Sequence, residues 1–156
     1  MVLQSEIWIR TSPDQVMRFL EGMEQNYTQW HPDHHRFEWI EGRGVAEGVV
    51  FQFDEEIAGK SRSREAVYTR VVEGRHIEFA PTSRFLRLFL PRMLFRVVSE
   101  GKGSRFIQEV HVRVGPLGAR LNRREFEAVR QHMREEGENL KRLLEEGDRT
   151  DPPLRP

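Results

Sequence analysis

From residue 36 to residue 114 the chain is a series of short stretches rich in alternating apolar and polar residues, punctuated by Gly42, Gly44, Gly59, Gly74, Gly101 and Gly103. After Pro116 the spacing changes, and Phe126, Val129, Met133, Leu140, Leu143 and Leu144 recur at helical intervals up to Glu146. A period near two marks strands with one face buried, and a period near 3.6 marks a helix. The first part therefore predicts an antiparallel meander of about six strands: RFEWIEG, GVVFQFDEEI, SRSREAVYTRVV, RHIEFAP, RMLFRVVSE and RFIQEVHVRVG. The second predicts one helix over 116–146.

The front of the chain adds a strand over 3–10 (LQSEIWIR) and a helix over 13–21. Ser12 is placed to cap that helix, Pro13 suits its first position, and Gln15 can reach back as in a capping box. A second short helix over 23–30 follows. Strand, two short helices, meander and long helix make an α+β plan in which a curved antiparallel sheet of about six or seven strands wraps around the last helix. A sheet curled around a helix leaves an internal cavity, where small ligands sit. With 156 residues the chain has the size of one core. The domain is expected to span 1–146, and the Pro-rich, charged stretch 147–156 is expected to be a disordered tail.

Lys plus Arg and Asp plus Glu are both 25, so the formal net charge is zero. The basic residues are dispersed among acidic ones, which argues against nucleic acid as a partner. There is no cysteine, which removes disulfides, thiol nucleophiles and thiolate metal sites. Met1 to Glu6 runs directly into a strand pattern without a basic and then apolar leader, so a cytoplasmic protein is expected. No stretch is apolar enough to be an integral membrane segment.

Chemistry is concentrated in two places. His132 and Glu136 lie four apart on the last helix, where both can reach one ion. Glu136 also falls on the apolar stripe, three residues after Met133 and four before Leu140. A carboxylate there is costly unless paired with a cation, such as Arg64, or bound to metal. The other place is NYTQWHPDHHRFEW, residues 26–39, with His31, His34 and His35. Between them lies a hairpin. If 49–57 and 61–71 turn at Ala58-Gly59-Lys60, then Phe51 faces Val67, Phe53 faces Glu65 and Glu55 faces Ser63. Phe51, Phe53, Glu55, Glu65, Val67 and Thr69 then share the inner face. A slip of one residue exchanges Glu65 for Arg64.

Glu65, His132, Glu136 and a histidine from the opening segment make a set of two imidazoles and two carboxylates. Such a set suits Zn²⁺, and also Fe²⁺, Mn²⁺ or Ni²⁺. Glu55 is a candidate catalytic base. Trp30, Trp39, Phe51, Phe53 and Val67 are expected in the cavity wall, which suits a small hydrophobic or aromatic ligand.

The layout resembles the START/Bet v 1-like superfamily, also called the SRPBCC or polyketide cyclase-like superfamily. The likeness covers nearly the whole chain, from IWIRTSPDQV to EEGENLKRLLE. It implies a helix-grip fold with a deep cavity, and activities ranging from lipid carriage to catalysis. A narrower resemblance is to the zinc-dependent diacetylphloroglucinol and phloretin hydrolases. It implies a metal, zinc in that group, held by His34 or His31, Glu65, His132 and Glu136. This chain is much shorter than those enzymes, and their further acid/base residues have no matching positions here. The expected function is a metal-dependent hydrolase or lyase acting on an aromatic or polyketide-like molecule. The alternatives are a non-catalytic carrier of a hydrophobic ligand or a metal-free cyclase or dehydratase.

His76 and His111 alternate against their apolar neighbours and are expected to face solvent. His31 and His35, four apart, are an alternative ligand pair if 29–36 is helical. RFLRLFLPRMLFRVV, residues 84–98, reads as two strands joined through Pro91, or else as a gate over the cavity, a homodimer contact or a membrane-surface patch.

Overall fold

A computed structural model describes residues 1–150. Seven strands form one antiparallel sheet: β1 (Val2–Ile9), β2 (His34–Glu41), β3 (Val50–Ile57), β4 (Lys60–Val72), β5 (His76–Pro81), β6 (Arg92–Glu100) and β7 (Gly103–His111). The spatial order is β1-β7-β6-β5-β4-β3-β2. Six strands form the meander expected from the glycine punctuation, and β1 returns to pair with β7 from Val2↔His111 to Ile9↔Ser104.

Helices α1 (Pro13–Glu21) and α2 (Met23–Trp30) connect β1 to β2. Ser12 caps α1 by accepting from the Gln15 N–H, as its position predicts. The long helix α5 (Arg123–Thr150) lies in the curve of the sheet. It buries Met133 and Leu140, the latter at 0% exposure, and packs mainly on β1. Gly137 permits that approach, since a Cβ there would stand 3.3 Å from Ile7 Cγ2. The apolar core joins α1, α2, the sheet and α5 through Ile9, Val16, Leu20, Trp30, Phe106 and Leu140. This is the curved sheet around a last helix that the pattern predicts, and the helix-grip architecture that the resemblance implies.

Three local expectations are corrected. The closing helical stretch is two helices, α4 (Pro116–Leu121) and α5, separated at Asn122. Residues 84–98 do not form two strands, because Arg84–Phe89 is a short helix, α3, capped by Ser83, and only Arg92 onward is extended. Phe85 and Leu88 on α3 stay exposed. Helix α5 also runs through Thr150, past the expected start of the tail. Residues 151–156 of that tail lie outside the described residues.

The correction that matters most for the site is at the β3–β4 hairpin. The connection is the two-residue turn Ala58-Gly59, with Ile57 opposite Lys60. Both turn residues have positive φ, 55° and 72°, the geometry that matches the twist of paired strands. Phe51 therefore faces Ala66, Phe53 faces Arg64 and Glu55 faces Arg62. Because side chains alternate, the shift moves Glu65, Val67 and Thr69 to the opposite face and brings Arg62, Arg64, Ala66 and Tyr68 inward.

Ala58 occupies a left-handed conformation that costs a non-glycine residue about 1–2 kcal/mol and that asparagine tolerates better. Ala58→Asn is expected to raise unfolding stability by about 0.5–1 kcal/mol, with an unchanged m-value in urea. A loss of stability would show that the turn is not strained.

Candidate active site

The site begins where α2 ends. Met23, Tyr27 and Trp30 lie on its buried side, and His31 leaves the helix with extended backbone. A tight turn follows, closed by the His34 N–H donating to the His31 carbonyl at 3.0 Å. The Glu56 N–H donates to the Asp33 carbonyl at 2.9 Å and ties this turn to β3. His34 is thus the first residue of β2 and stands opposite Glu55, just before an irregularity in the pairing between His34 and Arg36.

The His34 side chain has 0% exposure. Its Nδ1 faces the Tyr27 carbonyl at 3.0 Å, and its Nε2 lies 3.1 Å from His132 Nε2 and 2.9 Å from Glu136 Oε1. His132 Nε2 is 3.5 Å from Glu136 Oε1 and 3.8 Å from Glu55 Oε2. A carbonyl on Nδ1 fixes the ring and aims Nε2 into the cluster. Glu136 is held from both ends: Gln108 Nε2 donates to its Oε2 at 2.6 Å, and Trp30 Nε1 donates to its backbone carbonyl at 2.8 Å. Two imidazoles and two carboxylates, from β2, β3 and α5, converge on one point.

Burial alone would raise the Glu136 pKa, but its hydrogen bonds with His132 and His34 outweigh it and hold the carboxyl below its usual range. Burial likewise opposes the charged form of His132, yet the hydrogen bond and charge of Glu136, with Glu55, push its pKa up. Glu55 goes the other way, raised first by burial and then by the charge of Glu136. The cluster therefore pairs a carboxylate that stays ionised with one that holds its proton more tightly, an arrangement suited to proton transfer.

The sequence expectations divide accordingly. The structure brings His34, His132 and Glu136 together. Glu65 does not join them: it is exposed on the other face of β4, where Thr82 Oγ1 donates to its Oε1 at 2.8 Å. Glu55, expected as a base, takes the place given to Glu65. His31 is buried beside the cluster, and His31, His34 and His132 offer nitrogens within 4.8 Å of one another. Both nitrogens of His31 are engaged, however, Nδ1 by the Asp33 N–H at 2.9 Å and Nε2 by Glu135 at 2.7 Å. His35 points away and is half exposed. His76 and His111 are partly covered and sit beside Glu78 and Glu109.

The cluster forms one end of a cavity of about 130 Å³ between sheet and helix. Trp30, Phe37, Phe51, Phe53, Phe79 and Phe95 are among its aromatic walls. Trp39 and Val67 are not. Trp39 packs edge-on to Phe37 and donates to Glu24 at 3.0 Å, and Val67 lies on the opposite face of the sheet. A second chamber of about 130 Å³ shares Phe53, Glu55, Ile57, Met93, Val110 and Val129 with the first. It extends toward Arg62, Arg64 and the first turns of α5.

Two participants were not anticipated from sequence. Gln108 is the polar member of the inward series Phe106, Gln108, Val110, and that break in alternation was its signal. Tyr27 stacks on His34 with ring centroids 4.1 Å apart, and its hydroxyl is buried without a hydrogen-bond partner among the described residues. Tyr27 also lines the first chamber. An orphaned buried hydroxyl costs about 1–3 kcal/mol, so its removal relieves the ligand-free protein. Tyr27→Phe is expected to leave unfolding stability unchanged or to raise it by up to about 1 kcal/mol in urea denaturation. A loss larger than that would mean the hydroxyl has a partner in the folded protein.

The model of the family described as polyketide cyclase / dehydrase and lipid transport matches residues 2–145. A comparison with curated proteins finds no match. Solved structures with the same fold include the KanY protein, 17% identical over 93% of this chain and 97% of that one, with a TM-score of 0.71. The Zhui aromatase/cyclase from Streptomyces sp. R1128 is 13% identical over 96% of each chain, with a TM-score of 0.71. The polyketide cyclase-like protein Cgl2372 from Corynebacterium glutamicum is 15% identical over 96% of this chain and 94% of that one, with a TM-score of 0.60. The family match supports the wider superfamily and the solved structures share its fold, and none of these findings supports the narrower resemblance to the zinc hydrolases.

Proposed function

The chain belongs to the polyketide cyclase / dehydrase and lipid transport family, and from that premise we propose that it binds a small aromatic or polyketide-like molecule and acts on it by metal-free proton transfer. One observation carries this reading. An aromatic cavity ends in a buried imidazole–carboxylate cluster with an unpartnered tyrosine hydroxyl beside it. An apolar cavity of about 150 Å³ accommodates a benzene-sized molecule, so each chamber suits one ring.

The chemistry open to these groups is that of ring closure. Glu55 as carboxylate removes a proton from a carbon next to a ligand carbonyl, and the electron pair moves onto the carbonyl oxygen. The Tyr27 hydroxyl and His132 hydrogen-bond that oxygen as it gains charge. The enolate carbon attacks a second carbonyl of the same molecule, one C–C bond forms, and the proton held by Glu55 returns to the new alkoxide. In a dehydration, Glu55 removes a further proton from the carbon between the carbonyl and the new hydroxyl, a C=C bond forms as the C–O bond breaks, and that proton returned to the departing hydroxyl makes water.

Two measurements test this. The neutral fluorophore N-phenyl-1-naphthylamine should saturate at one equivalent, and Val129→Trp, at the junction of the chambers, should weaken binding at least about tenfold. Absence of saturable binding would overturn the cavity reading. For catalysis, the protein should accelerate exchange of the methyl hydrogens of acetophenone in D₂O by about a hundredfold or more, and Glu55→Gln should abolish it. Binding without acceleration would leave a carrier.

A metal-dependent hydrolase or lyase is the second reading, favoured by the mutual distances in the cluster. His34 Nε2, His132 Nε2, Glu136 Oε1 and Glu55 Oε2 have neighbouring separations of 2.9, 3.1, 3.5 and 3.8 Å. Ligand atoms about 2.0–2.2 Å from a tetrahedral zinc stand roughly 3.3–3.6 Å apart. The Nδ1 contact of His34 with a backbone carbonyl also suits a metal ligand. Tag-free protein carrying near one equivalent of zinc, lost in His132→Ala and Glu136→Ala, would establish this reading; below about a tenth of an equivalent it fails.

A further inference from the structure

The inner face of β4 changes character along its length. Tyr68 and Ala66 are buried and apolar, whereas Arg64 and Arg62, nearer the turn, are only partly covered. Both arginines line the second chamber, with Pro81, Leu90, Val112 and Phe126 around them. The first chamber is therefore lined by aromatic side chains, and the second, which shares six of its lining residues, carries the two arginines.

The two guanidinium groups are not equivalent. Arg62 is 3.3 Å from Glu125, which Lys60 also contacts at 2.8 Å. The Arg64 guanidinium makes no hydrogen bond or ion pair among the described residues. Three carboxyl groups border this chamber. Glu125 is taken by Lys60 and Arg62, Glu65 belongs to the outer face and Thr82, and Glu55 is drawn into the histidine cluster. A planar, permanently charged donor set facing an apolar chamber is left without an anion.

We propose that this chamber is an anion subsite, in which Arg64 receives a carboxylate carried at the end of an otherwise apolar ligand. This rests on the cavity reading and refines it: the ligand is an aryl or alkyl acid rather than a neutral hydrocarbon. Its ring occupies the chamber beside Tyr27 and the cluster, and its carboxylate is held by the guanidinium fork at the other end. Arg64 thereby orients the molecule, because only one end carries the charge.

The test is displacement of N-phenyl-1-naphthylamine by two molecules of equal length, 4-phenylbutanoate and 4-phenylbutan-1-ol. The wild-type protein should bind the acid at least about tenfold more tightly than the alcohol. That preference should shrink as salt is raised. Arg64→Gln should erase the preference while leaving the affinities for the alcohol and the fluorophore within about twofold, which also reports an intact cavity. Arg64→Lys should retain part of it. Inorganic phosphate at the same concentrations should neither displace the fluorophore nor compete with the acid; competition by phosphate would assign the subsite to phosphate esters and overturn the carboxylate assignment. An acid preference that survives Arg64→Gln overturns the subsite, and so does equal binding of acid and alcohol. A protein that binds no fluorophore loses the cavity reading first, so the two failures are distinguishable.

Discussion

A carboxylate on the core-facing stripe of a helix has to be compensated, and much of this molecule's interior is arranged to compensate Glu136. Isolated, such a group costs several kcal/mol or gives up its charge. Here it remains ionised because His34 and His132 face one oxygen and Gln108 donates to the other. Each partner comes from a different element, so the cluster joins α5, β2 and β7. The Trp30 indole bonded to the Glu136 carbonyl adds α2 to the same junction. What fixes the packing of the helix in the sheet is therefore also what places reactive groups at the cavity wall.

The aromatic interior and the polar cluster serve different ends of one problem. Aromatic faces from β3, β5 and β6 exclude water and strengthen every charge interaction at the cluster. Tyr27 connects the two parts, with its ring stacked on His34 and its side chain lining the cavity.

Much of the fold was legible because glycine punctuation and period-two alternation are local signals, and six strands of the meander follow from them. His132 and Glu136 were legible for a related reason, since a charged residue on an apolar stripe is an anomaly that needs no tertiary knowledge. Glu65 was misplaced because its face depends on whether the β3–β4 connection has two or three residues, and alternation alone cannot count them. The helix α3 was hidden in an apolar run compatible with either period. The opening segment supplied His34 as expected, but its role depends on partners about a hundred residues away.

The two-residue turn at Ala58-Gly59 has a consequence beyond its own geometry. One added residue there would rotate β4 by half a pleat, turning Arg62 and Arg64 out and Ser63, Glu65 and Val67 in. The chamber would lose both its arginines with no side chain replaced. Which side chains line this chamber is thus encoded partly in chain length, and a relative with an identical strand but a longer loop would turn the opposite face of β4 toward it.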